Sequence, residues 1–366
     1  MPSQMGINLL LYVAMLITGY FGAIREIRYK KHSILHIALF IILFYLAVIS
    51  RIGHAYLYSD FQHYIDYFLW DNDAYFEPGY VLVTHLIKKY LGYEPIYLVS
   101  TIFFLILIFS FAIVYNLNYQ YRLFKENNKN YFNYIFIFFS IWSVYHGFSV
   151  CAEGLRPGLA ITILCLGMVF ALNRKWIPSL MILALATFMH TQSVIFIPGL
   201  FLLYFVDKVS KKTLYYWFAA NVITGILIGM LKLFDFTILE YLFNLVDRHS
   251  DASHYEGYLS ATENSFLSSQ WITKQLVAFL LLFGNHSNKL YNRATILYYF
   301  GLSMAAIFSA STIFLRFEGV YIRTFLFAFF YFLLDEKFSS NKRILVLSVF
   351  IPYYGIMLVR WLGWYL

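Results

Sequence analysis

Charged residues are scarce in this chain, and their scarcity excludes a soluble globular protein. Only 13% of its 366 residues are Asp, Glu, Lys or Arg, whereas 61% are hydrophobic. A surface with so few charges could not keep that much apolar material in water. The composition therefore predicts an all-α, polytopic membrane helix bundle, with residues 1–366 forming one integral membrane domain.

Cysteine is almost absent as well, since the chain contains only Cys151 and Cys165. Two cysteines, one of them in the middle of an apolar run, do not indicate a disulfide framework. The first ten residues lack the basic region and the cleavage site of a signal peptide, so we expect no cleaved signal. The sequence also lacks a P-loop, a zinc signature, a nucleophile elbow and a dinucleotide-binding motif. We therefore expect no cofactor and no bound metal ion.

Long apolar runs are abundant, and twelve of them are long enough to cross, or nearly cross, a bilayer. They cover 5–24, 33–52, 95–118, 131–147, 157–173, 176–190, 193–206, 213–233, 271–284, 294–314, 319–334 and 343–364. A further amphipathic stretch from Gly79 to Leu91 carries Lys88 and Lys89. We expect this stretch to lie in the membrane interface or to re-enter the bilayer.

Basic residues predict the orientation. The net charge of +8 does not indicate nucleic-acid binding, because 17 of the 27 Lys and Arg residues lie in short segments between apolar runs. The positive-inside rule places such segments in the cytoplasm. They are 25–31, 119–130, 173–175, 207–212, 285–293 and 335–343. Both ends of the chain are then expected to face outward.

The outward segments contain nearly all the candidate chemistry. They are 53–94, 148–156, 191–192, 234–270 and 315–318, and we name the two longest the first outer loop (53–94) and the second outer loop (234–270). Loops of this length in a compact protein are usually functional or disordered. Because both carry aromatic residues and neither is of low complexity, we expect them to be ordered.

The first outer loop contains the sequence Tyr75-Phe-Glu-Pro-Gly-Tyr80. Pro78 and Gly79 indicate a turn before a helix, and Glu77 would aim its carboxylate at the start of that helix. One interpretation makes Glu77 and Tyr80 substrate-binding residues. The alternative is that Glu77 simply caps the helix.

Glu153 and Arg156 lie just before the apolar run that begins at residue 157. In one interpretation Arg156 binds a phosphate, because its planar fork donates two parallel hydrogen bonds, while Glu153 orients or deprotonates a hydroxyl. Pro157 suits the first turn of the following helix. The alternative is an ion pair between Glu153 and Arg156 that closes the helix mouth.

Three further groups complete the set of candidates. His190 lies in a tight turn between two apolar runs, at or just inside the outer boundary, and could be catalytic or only a hydrogen-bonded structural group. Arg316 and Arg323 share a helix face if their helix starts early, and an Arg within the membrane usually has a partner or a function. The second outer loop offers His254, Tyr255 and Tyr258 as a carbohydrate surface, or as an ordinary solvated loop.

These motifs, in this order, resemble the EpsG-like and Wzy-type polysaccharide polymerases of bacteria. The resemblance rests on four stretches, spread over about residues 60–330: Tyr75–Tyr80, Gly154–Ala160, Phe188–His190 and Arg316 with Arg323. In the family the second stretch often reads Arg-Gln-Gly-Leu-Ala. Here Pro157 stands in place of that Gln, so any role of the amide is absent.

The resemblance implies a membrane glycosyltransferase of O-antigen or exopolysaccharide synthesis, in the bacterial inner membrane with its site facing the periplasm or the outside. It would move a growing glycan from undecaprenyl diphosphate to the terminal sugar hydroxyl of another lipid-linked repeat unit. The implied partners are the undecaprenyl-diphosphate-linked oligosaccharide, the lipid bilayer and a chain-length regulator protein. The expected roles are diphosphate binding by Arg156, Arg316 and Arg323, activation of the acceptor by His190 or Glu153, and substrate contacts by Glu77, Tyr80, His254, Tyr255 and Tyr258.

Three other functions fit parts of the pattern. An O-antigen ligase or another lipid-linked glycosyltransferase would use the same donor, with lipid A core as the acceptor of the ligase. A transporter or flippase of lipid-linked glycans would show an internal repeat and charges along a central path, and we find neither. A membrane-bound acyltransferase would show a His-Asp or Asn-His pair in the middle of the chain, which His190 does not form.

Overall fold

The computed structural model describes residues 2–52, 59–71, 76–124, 132–147, 150, 154–231, 269–307 and 319–349. Within these ranges the regular structure is helical, which confirms the all-α prediction. We number the α-helices in chain order. They are α1 (Pro2–Tyr29), α2 (Ile34–Ile49), α3 (Ser59–Trp70), α4 (Pro78–Tyr90), α5 (Pro95–Phe124), α6 (Phe136–Trp142), α7 (Leu155–Leu172), α8 (Trp176–Met189), α9 (Ile197–Phe205), α10 (Lys211–Leu231), α11 (Ser269–Leu281), α12 (Lys289–Ile307), α13 (Phe325–Leu334) and α14 (Ser340–Ser348).

Three helices in the described part of the chain are long and apolar enough to cross a membrane. They are Ile7–Tyr29, Pro95–Leu123 and Leu155–Leu172. Several others are apolar but shorter, among them Ile34–Ile49 and Trp176–Met189. An α-helix of 14 residues, such as α8, rises only about 21 Å, less than the roughly 30 Å of a bilayer core. These helices support a polytopic helical membrane protein, and the number of twelve spans stays a prediction.

Several predicted boundaries need correction. The structure adds α3 to the first outer loop, beside the expected helix at α4. Helix α5 continues to Phe124, into the segment predicted as a cytoplasmic loop from residue 119. Near that end the amide of Asn118 donates to the carbonyls of Val114 and Tyr134 and accepts from the N–H of Tyr134, each at 2.9 Å. These bonds satisfy polar groups that an apolar pattern does not reveal.

Two apolar runs that were predicted as continuous helices are interrupted. The run 193–206 begins as a 3-10 helix (Thr191–Phe196) before α9. The run 319–334 has a helical turn at 319–322 and then a break at Arg323 and Thr324 before α13. A π-helical segment, Ser143–Gly147, follows α6.

The chain forms two compact units. The first consists of Met1–Val194 and Phe329–Leu366, and the second of Ile195–Ala328. Within the first unit α1 packs against α2 and α6, and α7 packs against α5 and α8. Within the second unit α12 packs against α9, α10 and α11. Whether residues 1–366 act as one membrane domain stays a prediction.

A buried acid of α1 joins two helices of the first unit. The two carboxyl oxygens of Glu26, which is fully buried, accept hydrogen bonds from the N–H groups of Ile135 and Ile137, each at 2.9 Å. The first N–H groups of a helix have no partner within that helix. Glu26 therefore supplies the acceptors that the start of α6 lacks.

Substitution of Glu26 by Ala should destabilise the first unit, because it leaves one buried and one partly buried N–H group at the start of α6 without acceptors. The expected loss is on the order of 3 kcal/mol. Thermal unfolding of the protein in detergent measures it. Lys30→Ala is the control, because it removes an exposed ion pair with Glu336 that should contribute less than about 1 kcal/mol. Equal unfolding temperatures for the two variants would contradict this role of Glu26.

Candidate functional site

Glu77 occupies the N-cap position of α4, directly before Pro78. Its backbone is extended (φ −62°, ψ 147°), as is usual at this position, and Pro78 costs no hydrogen bond in the first turn. The Glu77 side chain, however, makes no capping hydrogen bond to α4. The capping interpretation is therefore wrong, and the carboxylate is available to other partners.

The first of these partners is Arg156, in the first turn of α7. Its Nη1 donates to Oε2 of Glu77 at 2.6 Å. Gly154 is the N-cap of α7, and Pro157 lies in the first turn as predicted. The local ion pair considered for Arg156 involves Glu153, which lies outside the described residues. The structure shows an ion pair between Arg156 and Glu77, an acid 79 positions earlier in the chain.

The second partner is His190, the first residue after α8. Its Nδ1 lies 2.6 Å from Oε1 of Glu77, and the backbone N–H of Thr191 donates to the same oxygen at 3.2 Å. The side chains of Glu77, Arg156 and His190 are 12%, 16% and 18% exposed. The starts of α4 and α7 and the end of α8 thus meet at one carboxylate that solvent can still reach.

A close approach of two backbones makes this meeting possible. A Cβ atom built on Gly79 would lie 2.6 Å from the carbonyl oxygen of Phe188 and 2.7 Å from its ring. A backbone atom cannot move aside as the end of a flexible side chain can. Only glycine therefore allows the first turn of α4 to lie against the last turn of α8.

Arg51 is a contributor that the motifs did not reveal. It is buried at the end of α2, its Nη1 donates to the carbonyl of Val150 at 2.8 Å, and its guanidinium carbon lies 4.1 Å from the ring centre of Phe61. Gly158 accepts the same segment, because a Cβ there would lie 2.8 Å from Val150. Arg51 and Gly158 thus fix the chain shortly before α7. The available signal was a lone Arg at the end of an apolar run that the positive-inside rule predicts to face outward.

Aromatic rings surround the guanidinium group of Arg156. Its central carbon lies 5.0 Å from the ring centre of Phe76 and 5.5 Å from that of Tyr64. Tyr80 packs against both rings, at 5.0 and 5.7 Å, and is fully buried. These contacts hold the Arg156 side chain in place by cation–π attraction and packing. The predicted contact of Tyr80 with a substrate stays a prediction.

The charge of Glu77 follows from these contacts. Burial alone would raise the pKa of Glu77, but the hydrogen bond to His190 and the charge of Arg156 outweigh burial and lower the pKa to about 2. Glu77 is therefore a carboxylate throughout the physiological pH range.

The remaining candidates lie in the second unit or outside the described residues. Arg323 belongs to the second unit, is 7% exposed, and donates from its guanidinium to the carbonyl of Gly319. Its predicted grouping with Arg156 stays a prediction. The other candidates lie outside the described residues: Glu153, Arg316, His254, Tyr255, Tyr258 and nearly all of the second outer loop.

Comparison with known protein families gives a match over most of the chain. The family model of the EpsG family matches residues 36–365, nearly the whole chain. The match covers the segments that carry Glu77, Arg156 and His190, and it confirms the resemblance to this family. No curated protein and no solved structure matches the chain.

The lowered pKa of Glu77 predicts how stability depends on pH. A carboxyl group whose pKa is about 2 in the folded protein, against 4.5 when unperturbed, stabilises the folded state fully above pH 4.5 and loses this effect as the pH falls toward 2. The unfolding temperature of the wild type should therefore exceed that of Glu77→Gln at pH 5 and above. The difference should narrow below pH 4.5, as a contribution on the order of 3 kcal/mol disappears. A difference that widens in acid would show that Glu77 is not held as a carboxylate.

Proposed function

Because the chain belongs to the EpsG family, we propose that it polymerises lipid-linked oligosaccharide repeat units at the outer face of the bacterial inner membrane. The growing glycan would leave undecaprenyl diphosphate and join the terminal sugar hydroxyl of another lipid-linked unit, yielding O-antigen or exopolysaccharide. Family membership supports a membrane polysaccharide polymerase-type role in general. The donor, the acceptor and the orientation are our proposal.

The observation that carries the proposal is the meeting of Glu77, Arg156 and His190 at 2.6 Å distances. The three side chains combine a fixed cation, a carboxylate and an imidazole. A glycosyl transfer from a diphosphate needs stabilisation of the leaving group and a group that can receive the proton of the acceptor. Arg156 can serve the first need, and His190 or Glu153 the second.

The local electrostatic field favours an anion. The helix dipoles of α4 and α7 place partial positive charges at their N-termini, and these ends meet at Glu77 and Arg156. An Arg in the first turn of a helix opposes that dipole and is unfavourable unless an anion is near. Glu77 supplies one negative charge, and a bound diphosphate would supply more.

The outward placement rests on the distribution of basic residues. The segments before α5 and α7 carry the candidate site, whereas the segments 25–31, 119–130 and 173–175 carry the basic residues expected in the cytoplasm. A lipid diphosphate presents its headgroup at the membrane surface. The site would therefore receive donor and acceptor from the outer leaflet.

The role of Arg156 can be tested in the host by gene deletion and complementation. Loss of the gene should reduce the surface polysaccharide from a ladder to single repeat units, and the wild-type gene should restore the ladder. Arg156→Ala should not restore it, and Arg156→Lys, which keeps the charge but loses the planar fork, should restore it only weakly. The readout is a gel of the surface polysaccharide, at equal protein abundance.

Arg122→Ala is the matched control. Arg122 is exposed and donates to Asn133, at the end expected in the cytoplasm, so this variant should restore a full ladder. A full ladder from Arg156→Ala would remove Arg156 from the mechanism. Long lipid-linked chains that never reach the surface would instead indicate a ligase, and an unchanged ladder after deletion would contradict the proposed function.

A further inference from the structure

The position of one proton in the cluster is determined by its partners. An ionised carboxylate can only accept hydrogen bonds. Oε1 of Glu77 lies 2.6 Å from Nδ1 of His190, and the pKa of Glu77 is lowered to about 2. Nδ1 of His190 therefore carries a hydrogen atom and donates it to Glu77.

The other ring nitrogen of His190 is then the one that can react. In a neutral imidazole with a proton on Nδ1, Nε2 carries the lone pair. Among the described residues Nε2 has no hydrogen-bond partner in the structure, and the His190 side chain is 18% exposed. Nε2 is thus not engaged by another described residue, and it is the ring nitrogen that can accept a proton from a hydroxyl group.

Glu77 is itself held from several directions. Its second oxygen accepts from Nη1 of Arg156, and its first oxygen also accepts from the backbone N–H of Thr191. The contact of Gly79 with Phe188 locks the first turn of α4 against the last turn of α8. The carboxylate therefore cannot rotate away from His190 without also breaking its hydrogen bonds to Arg156 and Thr191.

From this geometry we infer that His190 is the general base of the transfer and that Glu77 is its positioning residue. The inference rests on the proposed function and decides between His190 and Glu153, which the sequence left open. It also replaces the predicted substrate contact of Glu77. The carboxylate fixes the tautomer and direction of the ring and compensates the positive charge that His190 gains.

The transfer forms one glycosidic bond and breaks one bond between the donor sugar and the diphosphate. The hydroxyl oxygen of the acceptor sugar forms a bond to the anomeric carbon of the donor glycan, and its proton passes to Nε2 of His190. The bond between the anomeric carbon and the diphosphate oxygen breaks, and its electron pair stays on the diphosphate. Only Nη1 of Arg156 bonds to Glu77, so the other N–H groups of its guanidinium can donate to this anion. The His190 proton afterwards returns to water.

Glu77→Gln tests the positioning role. The Gln amide can donate to Nδ1, which would put the proton on Nε2 and remove the reactive lone pair. We expect the turnover number of the purified protein on the host's lipid-linked repeat units to fall about 100-fold or more, in the range typical of general base catalysis, with KM changed far less. Asp66→Asn is the matched control, because Asp66 is a carboxylate of the same outer loop that bonds to Gln62. It should leave turnover within about twofold of the wild type.

A double-mutant comparison separates positioning from a purely structural role. If Glu77 acts through His190, then adding Glu77→Gln to the His190→Ala variant should lower the turnover number little further. Added imidazole should partly restore turnover to His190→Ala, since it supplies a base where the side chain was. The imidazole rescue also tests the role of His190 if the Glu77→Gln protein does not fold and accumulate in the membrane.

Two results would overturn the inference. One is turnover within about twofold of the wild type in Glu77→Gln or His190→Ala. The other is an equal loss from Glu77→Gln with and without His190, together with no rescue by imidazole. In both cases a wild-type protein that still elongates lipid-linked units leaves the proposed function intact, whereas a wild type that elongates none contradicts that function.

Discussion

Glu77 shares its carboxylate between Arg156 and His190, and the arrangement of the helix ends around it depends on this contact. The three side chains are mostly buried. An unpaired charge in such a position would be energetically costly. Removing one partner of such a pair leaves the other charge buried and uncompensated. The contact therefore ties the starts of α4 and α7 to the end of α8, and it keeps Glu77 ionised.

The surrounding residues explain how these helix ends reach one point. Gly79 has no Cβ atom, so α4 can lie directly against α8. Gly158 likewise has no Cβ atom, so Val150 can lie against α7. Arg51 fixes the carbonyl of Val150 from the end of α2. Each of these residues acts on backbone position rather than on chemistry. Together they place the site on rigid helix ends, which hold functional side chains more precisely than loops do.

The sequence predicted the membrane class, most helix positions and the three central residues, because each leaves a local signal. Composition indicated a membrane protein, and Pro78 and Pro157 marked two helix starts. His190 stood out as a polar residue between two apolar runs. Which residues pair could not be predicted in this way. Glu77 contacts partners 79 and 113 positions away, and an apolar period carries no information about such distances. Glu153 was the nearer acid in sequence, so local spacing favoured it over the acid that the fold brings to Arg156.

The most direct test of the account is reconstitution of the purified protein in liposomes with a single substrate, the host's undecaprenyl-diphosphate-linked repeat unit. No nucleotide sugar and no second enzyme would be present. We expect lipid-linked products of two or more units, with one undecaprenyl diphosphate released for each new glycosidic bond, as mass spectrometry would show. Repeat units that remain single, with no undecaprenyl diphosphate released by a folded protein, would contradict it.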